Sequence, residues 1–278
     1  MNRSIVRMKF LSPIHIGVKN LSDSEYSIKA DTLFSALCLE CKDIEEFVNY
    51  TKAGNLKISD AMPYIDDYYY IPKPMLYVKQ KTDNYKLFKK IKYIPFDAIN
   101  PFLEGTLYPE DELESFLLGE EDIRTQVCIG QDPFVVGTYT FYNNSGLYLI
   151  VEHKDEKVFE LFNSLQYTGI GGKRSGGLGR FEYTIEKCFD FEKGNTNILL
   201  NSSMAKPAEL ENCLEDANYM LQKRSGFINQ SRYKKQDFYT FTAGSVFKNT
   251  FEGDIYDVGN DEHPVYRYAI PMFMEVNV

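Results

Sequence analysis

The stretch Thr168-Gly169-Ile170-Gly171-Gly172-Lys173-Arg174-Ser175-Gly176-Gly177-Leu178-Gly179-Arg180-Phe181-Glu182 decides how the chain is read. Six of the eighteen glycines lie here, with Lys173, Arg174 and Arg180 among them and no acid before Glu182. Glycine lets a backbone take positive φ and approach a ligand closely. Successive free N–H groups in such a loop form a concavity for anions. The alternative is a flexible turn with solvated charges. The loop is not a Walker A, because Tyr167 stands where the first glycine belongs and Arg174 separates Lys173 from Ser175. It is not a dinucleotide fingerprint either, since Arg174 replaces the third glycine and no helix follows.

The flanks give the context. Val158, Phe159, Leu161, Phe162 and Leu165 recur at helical spacing upstream, and Phe181, Tyr183 and Ile185 alternate with polar residues downstream. The order helix, glycine loop, strand reverses that of a mononucleotide-binding unit. It suits a polyanion running over a sheet edge better than a compact triphosphate.

The 278 residues suffice for two modest domains. The net charge of −9 disfavours nonspecific adhesion to nucleic acid, so any such site must be a local basic track. No run is apolar enough to span a membrane, and no secretory segment follows Met1. Five cysteines without framework spacing imply reduced thiols and a cytoplasmic protein. Cys38-x-x-Cys41 has no second pair and sits in a helical pattern, so core packing is its expected role. No metal site and no cofactor are expected. Tryptophan is absent, but 21 tyrosines and 20 phenylalanines supply core, strand and stacking surface.

Along the chain, residues 3–11 alternate as a strand with Val6, Met8 and Phe10 on one face and Arg3, Arg7 and Lys9 on a basic outer face. Asp31 is placed to cap a helix running to Tyr50. Residues 51–124 read as an insertion. From Lys73 to Lys92 there are seven lysines against one acid, Asp83; from Glu104 to Asp122 there are eight acids and no cation. The acidic block opens with Pro109-Glu110-Asp111-Glu112, which suits the first turn of a helix or a surface for a protein partner. Phe134–Tyr142 and Leu147–Val151, separated by Asn143-Asn144-Ser145-Gly146, are expected to pair as a hairpin.

The order β-α-(insertion)-β-β-α-β predicts an α+β fold of ferredoxin-like (RRM-like) type over 1–190. No RNP1 string supports base stacking on the sheet. A second, degenerate ferredoxin-like domain in tandem is expected over 191–278, with a helix from Pro207 through Leu210, Leu214, Ala217 and Leu221. A basic stretch follows: Lys223, Arg224, Arg232, Lys234 and Lys235, free of acids until Asp237, with Phe227 and Tyr233 within it.

These motifs resemble the RAMP superfamily of CRISPR-associated proteins, marked by a glycine-rich loop after the last helix of a ferredoxin-like domain. Gly169 to Arg180 matches it. Ser12-Pro13-Ile14-His15-Ile16-Gly17, Asp31-Thr32-Leu33-Phe34-Ser35-Ala36-Leu37, Gly244-Ser245-Val246-Phe247 and His263-Pro264-Val265-Tyr266-Arg267-Tyr268 narrow the resemblance to the fourth subunit of the type III-A (Csm) effector complex. The resemblance implies a noncatalytic cap that holds the 5′ repeat-derived handle of CRISPR RNA and docks on the large polymerase-like (cyclase-like) subunit and a backbone RAMP subunit. A thumb within 86–128 separates handle from guide.

The expected RNA contacts are His15, Gly169, Gly171, Gly172, Lys173, Arg174, Ser175, Gly176, Gly177, Gly179 and Arg180, with Lys89, Lys90, Lys92, Arg124, Arg224 and Arg232. The alternative is a RAMP-type endoribonuclease acting on repeat RNA. Cleavage wants a base and an acid within reach of one another, and only His15, His153 and His263 are present. Asp23 follows the first strand, where the backbone subunit carries its catalytic aspartate, but the glycine-rich context is missing.

Overall fold

In the computed structural model, which describes residues 1–18, 20–79, 85–127, 130, 132–227, 233–259 and 264–278, the continuous apolar run Leu147–Val151 lies at the middle of the largest sheet. This strand, β8 (Ser145–His153), is buried on both faces, as an unbroken hydrophobic run requires. Strand β1 (Asn2–Phe10) pairs with it in antiparallel register, Val6 opposite Leu149. On the outer side of β1 lies β9 (Phe181–Lys187), Val6 opposite Ile185.

On the other side of β8 lie β2 (Leu56–Ile58) and β3 (Met62–Ile65), then β4 (Tyr68–Pro72) and β5 (Tyr93–Pro95). The path is β5-β4-β3-β8-β1-β9, with β2 paired to β8 alongside β3. The stretch 51–124, expected as an insertion, therefore builds part of this sheet.

Two helices cover one face. α1 (Ala30–Glu40) buries Leu33, Phe34 and Leu37 against Val6, Met8, Leu147, Leu149 and Val151. Its neighbour α2 (Ile44–Tyr50) starts on Asp43, whose carboxylate accepts from the Glu46 N–H at 2.9 Å. Asp31 does not cap: the N-terminal flank of α1 is Lys29, and Asp31 is buried in its first turn.

The opposite face is not the open basic surface that the alternation of β1 implies. Ile5, Tyr148 and Ile150 are covered by α3 (Tyr85–Phe88), α4 (Ile99–Leu103) and residues of the second half, including Met274 and Val276. Two of the three cations of β1, Arg3 and Arg7, are absorbed locally, and Lys9 is exposed. Arg3 pairs with Glu152 and lies 4.2 Å from the centre of the Phe191 ring; Arg7 lies 4.0 Å from that of Tyr64.

The acidic block forms α5 (Pro109–Ser115), with proline in its first turn followed by Glu110, Asp111 and Glu112. It continues into β6 (Gly119–Gln126). That strand pairs with β7 (Phe134–Phe141), Asp122 opposite Thr138. The expected hairpin between β7 and β8 is not formed, because both edges of β8 are already taken by β1 and by β2 with β3. The polar turn 142–144 simply joins two strands of different sheets.

α6 (Glu160–Thr168) packs beside α1, burying Phe162 and Leu165 before the glycine loop leads into β9. The second half is β-rich: β10 (Thr196–Leu199) pairs with β13 (Val246–Phe247) and β16 (Phe273–Val276). β11 (Leu221–Arg224) pairs with β12 (Phe238–Phe241), and β14 (Ile255–Asp257) with β15 (Tyr266–Tyr268). The helix expected to reach Leu221 is one turn, α7 (Leu210–Cys213), and Leu221 opens a strand. Asp216, at φ 54°, breaks the helical path between them.

The halves are joined by buried polar bonds. Asp60 accepts from the backbone N–H groups of Ala30 (2.8 Å) and Ser202 (2.9 Å). Asn201 donates to the Ile58 and Ile270 carbonyls and accepts from the Met272 N–H. The Tyr268 ring lies on Phe34 with centroids 5.2 Å apart, and its hydroxyl accepts from the Ile58 N–H at 3.0 Å.

Phe162, fully buried between sheet and helix, tests the helical layer. Phe162→Ala should cost about 3–5 kcal/mol, read by urea unfolding. A loss under about 1 kcal/mol would mean that α6 is not docked as described.

Candidate nucleic-acid interface

The glycine loop is stitched to the turn after β1. Gly169 ends α6 with its N–H on the Leu165 carbonyl at 2.8 Å. Ile170 N–H bonds the Gly179 carbonyl, closing the loop on itself at 2.9 Å. Gly172 N–H reaches the His15 carbonyl at 2.8 Å, Gly179 N–H the Pro13 carbonyl at 2.9 Å, and Arg180 N–H the Ser12 hydroxyl at 2.9 Å. Gly176 and Gly177 donate back to Lys173 and Arg174.

Two glycines are irreplaceable for steric reasons. Gly171 (φ 97°) has the His15 carbonyl 2.7 Å from where a Cβ would sit, and a Cβ at Gly179 (φ 77°) would overlap the Ile170 carbonyl. Of the twelve N–H groups from Gly169 to Arg180, seven bond the protein's own oxygens, so the glycines also shape a wall.

That wall borders a groove of about 620 Å³. His15, Gly171, Gly172 and Arg174 form one side; α1 and the strands of the second half form the other, through Lys29, Asp31, Lys223, Arg224, Lys235 and Arg267. Six cations (Lys29, Arg174, Lys223, Arg224, Lys235, Arg267) and two carboxylates (Glu25, Asp31) line it, an excess of +4 that falls to +2 when Asp60 beside Lys29 and Asp237 beside Lys223 are included, in a chain of net charge −9.

The floor is a buried ion cluster. Arg224 grips Asp31 with two bonds, Nε to Oδ2 at 3.0 Å and Nη2 to Oδ1 at 2.7 Å. Arg267 donates to the same carboxylate from its Nη1, and its buried Nε has no partner among the described residues. Burial alone would push the Asp31 carboxyl up, but the two guanidinium groups outweigh it and hold it below the usual carboxylate range. Burial, with Arg267 adding to it, pushes the Lys235 ammonium down. Lys29 lies 3.3 Å from Asp60.

His15 is nearly buried. Its Nδ1 lies 2.7 Å from the Gly137 carbonyl in β7, so the ring joins the groove to the β6–β7 hairpin. Lys173, left-handed at φ 58°, turns to that hairpin and stands 4.7 Å from the Phe134 ring centre.

The structure thus joins His15, Gly171, Gly172, Arg174 and Arg224 in one groove. Gly169 and Gly179 are buried in the loop's base, whereas Ser175, Gly176, Gly177 and Arg180 are exposed. Lys89, Lys90 and Lys92 are exposed around α3, outside the groove lining. Arg124 is exposed on β6, 3.7 Å from Asp122. Arg232 and His263 lie outside the described residues. His153 sits at the end of β8 with Nε2 3.1 Å from the Ser4 hydroxyl, and Asp23 closes a turn with Asn20.

Asp31, Arg267, Lys29 and Lys235 escaped the sequence reading as site residues. Asp31 looked like a cap, and Arg267 lay in a motif whose spatial partner is 236 residues away. Among the described residues no group of His, Cys, Asp and Glu is arranged to hold a metal ion, and no helix is long and apolar enough to cross a membrane.

The fold is similar to that of subunits solved in type III CRISPR effector assemblies. A chain of the crystal structure of the Csm3–Csm4 subcomplex of the type III-A interference complex matches with TM-score 0.68 and 18% identity, over 100% of both chains. A chain of the Csm1–Csm4 cassette in complex with AMPPNP matches with TM-score 0.63 and 17% identity, over 99% of this chain and 97% of that one. A family model described as the CRISPR Csm4 C-terminal domain matches residues 192–276. The curated Csm4 proteins of Streptococcus thermophilus and Mycobacterium tuberculosis are 33% and 32% identical, over 95% and 99% of this chain and 96% and 98% of theirs. The chain belongs to the Csm4 family.

Asp31→Asn leaves two buried guanidinium groups without their counter-charge. It should cost about 3–5 kcal/mol, a fall in Tm on the order of 10 °C. The wild-type contribution is complete above the ordinary carboxylate pKa and is lost as pH falls through the depressed folded value. The Tm difference between wild type and variant should therefore shrink at strongly acidic pH. A difference that stays constant with pH would show that the ion cluster does not stabilise the fold.

Proposed function

We propose that the chain is a noncatalytic RNA-binding RAMP subunit of a type III-A CRISPR Csm complex. It holds the 5′ repeat-derived handle of CRISPR RNA and links the large polymerase-like subunit to the backbone in antiviral and anti-plasmid defence. The observation that carries this is the groove, a concentrated positive track in an acidic protein. Single-stranded nucleic acid is held in such charged grooves along its backbone. The partners follow by analogy from the solved relatives, which are assemblies with Csm3 and with Csm1.

The reading includes two ferredoxin-like domains, 1–190 and 191–278. The order β9-β1-β8-β3 with α1 and α6 on one face supports the first, and the family match beginning at residue 192 supports the boundary. The β6–β7 hairpin is the candidate thumb: Ile123, Val127 and Val135 stand exposed on it and near its tip, and its middle is tied to the groove through Gly137 and His15. Against the endoribonuclease reading, the only hydrogen bond of the His15 ring among the described residues goes to a backbone carbonyl, so no acid–base partner is positioned beside it. The reading places the protein in the cytoplasm, where CRISPR RNA is assembled into its complex.

Phosphate contacts position a strand without reading its sequence. For single strands the slope of log K against log salt is about −0.7 per neutralised phosphate. Replacing Arg174 and Lys235 together by alanine should flatten the slope by about 1.4, with similar losses for unrelated RNA sequences. The readout is fluorescence anisotropy of labelled repeat RNA across a salt series. An unchanged slope would move the RNA site to Lys89, Lys90 and Lys92. Co-expression with the Csm1 and Csm3 equivalents should give a co-purifying assembly, and a protein that stays monomeric would remove the assembly role.

A further inference from the structure

We infer that His15 selects the bound nucleotide by accepting a hydrogen bond from it, at Nε2, from a donor that is either a ribose 2′-hydroxyl or a base N–H group. The inference rests on the groove being the RNA site and adds what one of its walls reads.

The argument starts at the other ring nitrogen. Nδ1 lies 2.7 Å from the carbonyl oxygen of Gly137. A carbonyl only accepts, so the proton of a neutral imidazole sits on Nδ1 and Nε2 carries a lone pair. Gly137 is not part of the groove lining, whereas His15 is. The ring therefore turns Nδ1 towards the hairpin and presents its opposite edge to the groove. Among the described residues Nε2 has no hydrogen-bond partner of its own.

The ring is held in that orientation. A Cβ at Gly172 would come within 2.7 Å of its Cδ2, so the loop backbone lies directly against the imidazole. On the approach to Nε2 stands Gly17, where a Cβ would come 3.5 Å from the nitrogen, an ordinary contact. Gly17 also lines the groove, so a methyl there would take up space beside Nε2 on the groove side. A phosphate oxygen has no proton to give there at neutral pH. A 2′-hydroxyl does, and it is what distinguishes RNA from DNA at a given contact. The base edges supply the other donors, the exocyclic amino groups and the ring N–H of guanine and uracil. The cations of the groove attract any polyanion, so they do not discriminate. His15 adds the discrimination they lack.

Gly17→Ala is the informative variant. Its φ lies outside the left-handed region, the methyl meets no clash, and the His15–Gly137 bond is untouched. His15→Phe is the second variant, keeping a ring while removing both nitrogens. The measurement is competition anisotropy with a panel of repeat-derived oligonucleotides. One arm carries a single 2′-deoxy substitution at each position in turn; the other replaces each base in turn by analogues lacking its amino group or its ring N–H donor.

In wild type, one substitution should weaken binding by about 3- to 10-fold, the worth of one hydrogen bond. In Gly17→Ala and in His15→Phe, the unmodified RNA should bind more weakly by a similar factor, and that same substitution should cost nothing further. The arm in which the sensitive position appears identifies the donor. Two results overturn the inference while leaving RNA binding by the groove intact. One is a panel with no substitution whose penalty depends on His15 or Gly17. The other is binding that strengthens tenfold from pH 8 to pH 6 and loses this dependence in His15→Phe, which would make the contact an imidazolium on phosphate. A double Arg174→Ala, Lys235→Ala variant with undiminished affinity would instead remove both the groove reading and this inference.

Discussion

The fold and the groove both depend on one buried carboxylate. Asp31 sits in the first turn of α1, in the N-terminal half, and its partners Arg224 and Arg267 come from β11 and β15, in the C-terminal half. Removing charges from water is costly, and such a cluster is tolerated only where geometry is good and every charge has an answer. Here two cations share one anion, so the cluster carries a net positive charge in a partly closed groove. The same three residues tie two halves of the chain together and add one unit of positive charge to the surface between them. The apolar contacts across the same seam hold the halves without adding charge.

The glycine loop takes its meaning from that seam. Its positive-φ residues bring the backbone against the Pro13 and His15 carbonyls and bury Ile170 and Leu178 beneath the turn. The loop thereby fixes where Arg174 stands relative to α1, with Lys173 turned away to the hairpin. An alternating pattern of glycines and cations invites the reading that backbone amides bind the anion. In this molecule seven of the twelve amides from Gly169 to Arg180 are used in folding the loop, and the groove beside it draws its cations from side chains of separate stretches.

Much of the first half was legible because its signals are local. The helix before the loop, the strand after it and the central strand at Leu147–Val151 follow from periodicity and from one uninterrupted apolar run. The pairing of β7 was not legible, since a four-residue polar turn reads as a hairpin unless it is known that β8 has both edges occupied. The short α7 was misjudged because Leu210, Leu214, Ala217 and Leu221 keep helical spacing while Leu221 belongs to a strand that must deliver Arg224 to Asp31. Of the site, His15, the glycines, Arg174 and Arg224 carried local marks. Arg267, Lys29 and Asp31 did not, because their roles exist only once distant segments meet.

The walls of the groove come from residues 15–39, 170–174 and 222–267. Contacts spanning such separations form late, after loop-closure entropy has been overcome by the surrounding structure. During synthesis, the central strand, both long helices and the glycine loop are complete before β15 has emerged. Until then Asp31 lacks Arg267, and the cationic floor is incomplete. The groove therefore gains its full complement of charge only when the C-terminal strands have been made and packed against α1.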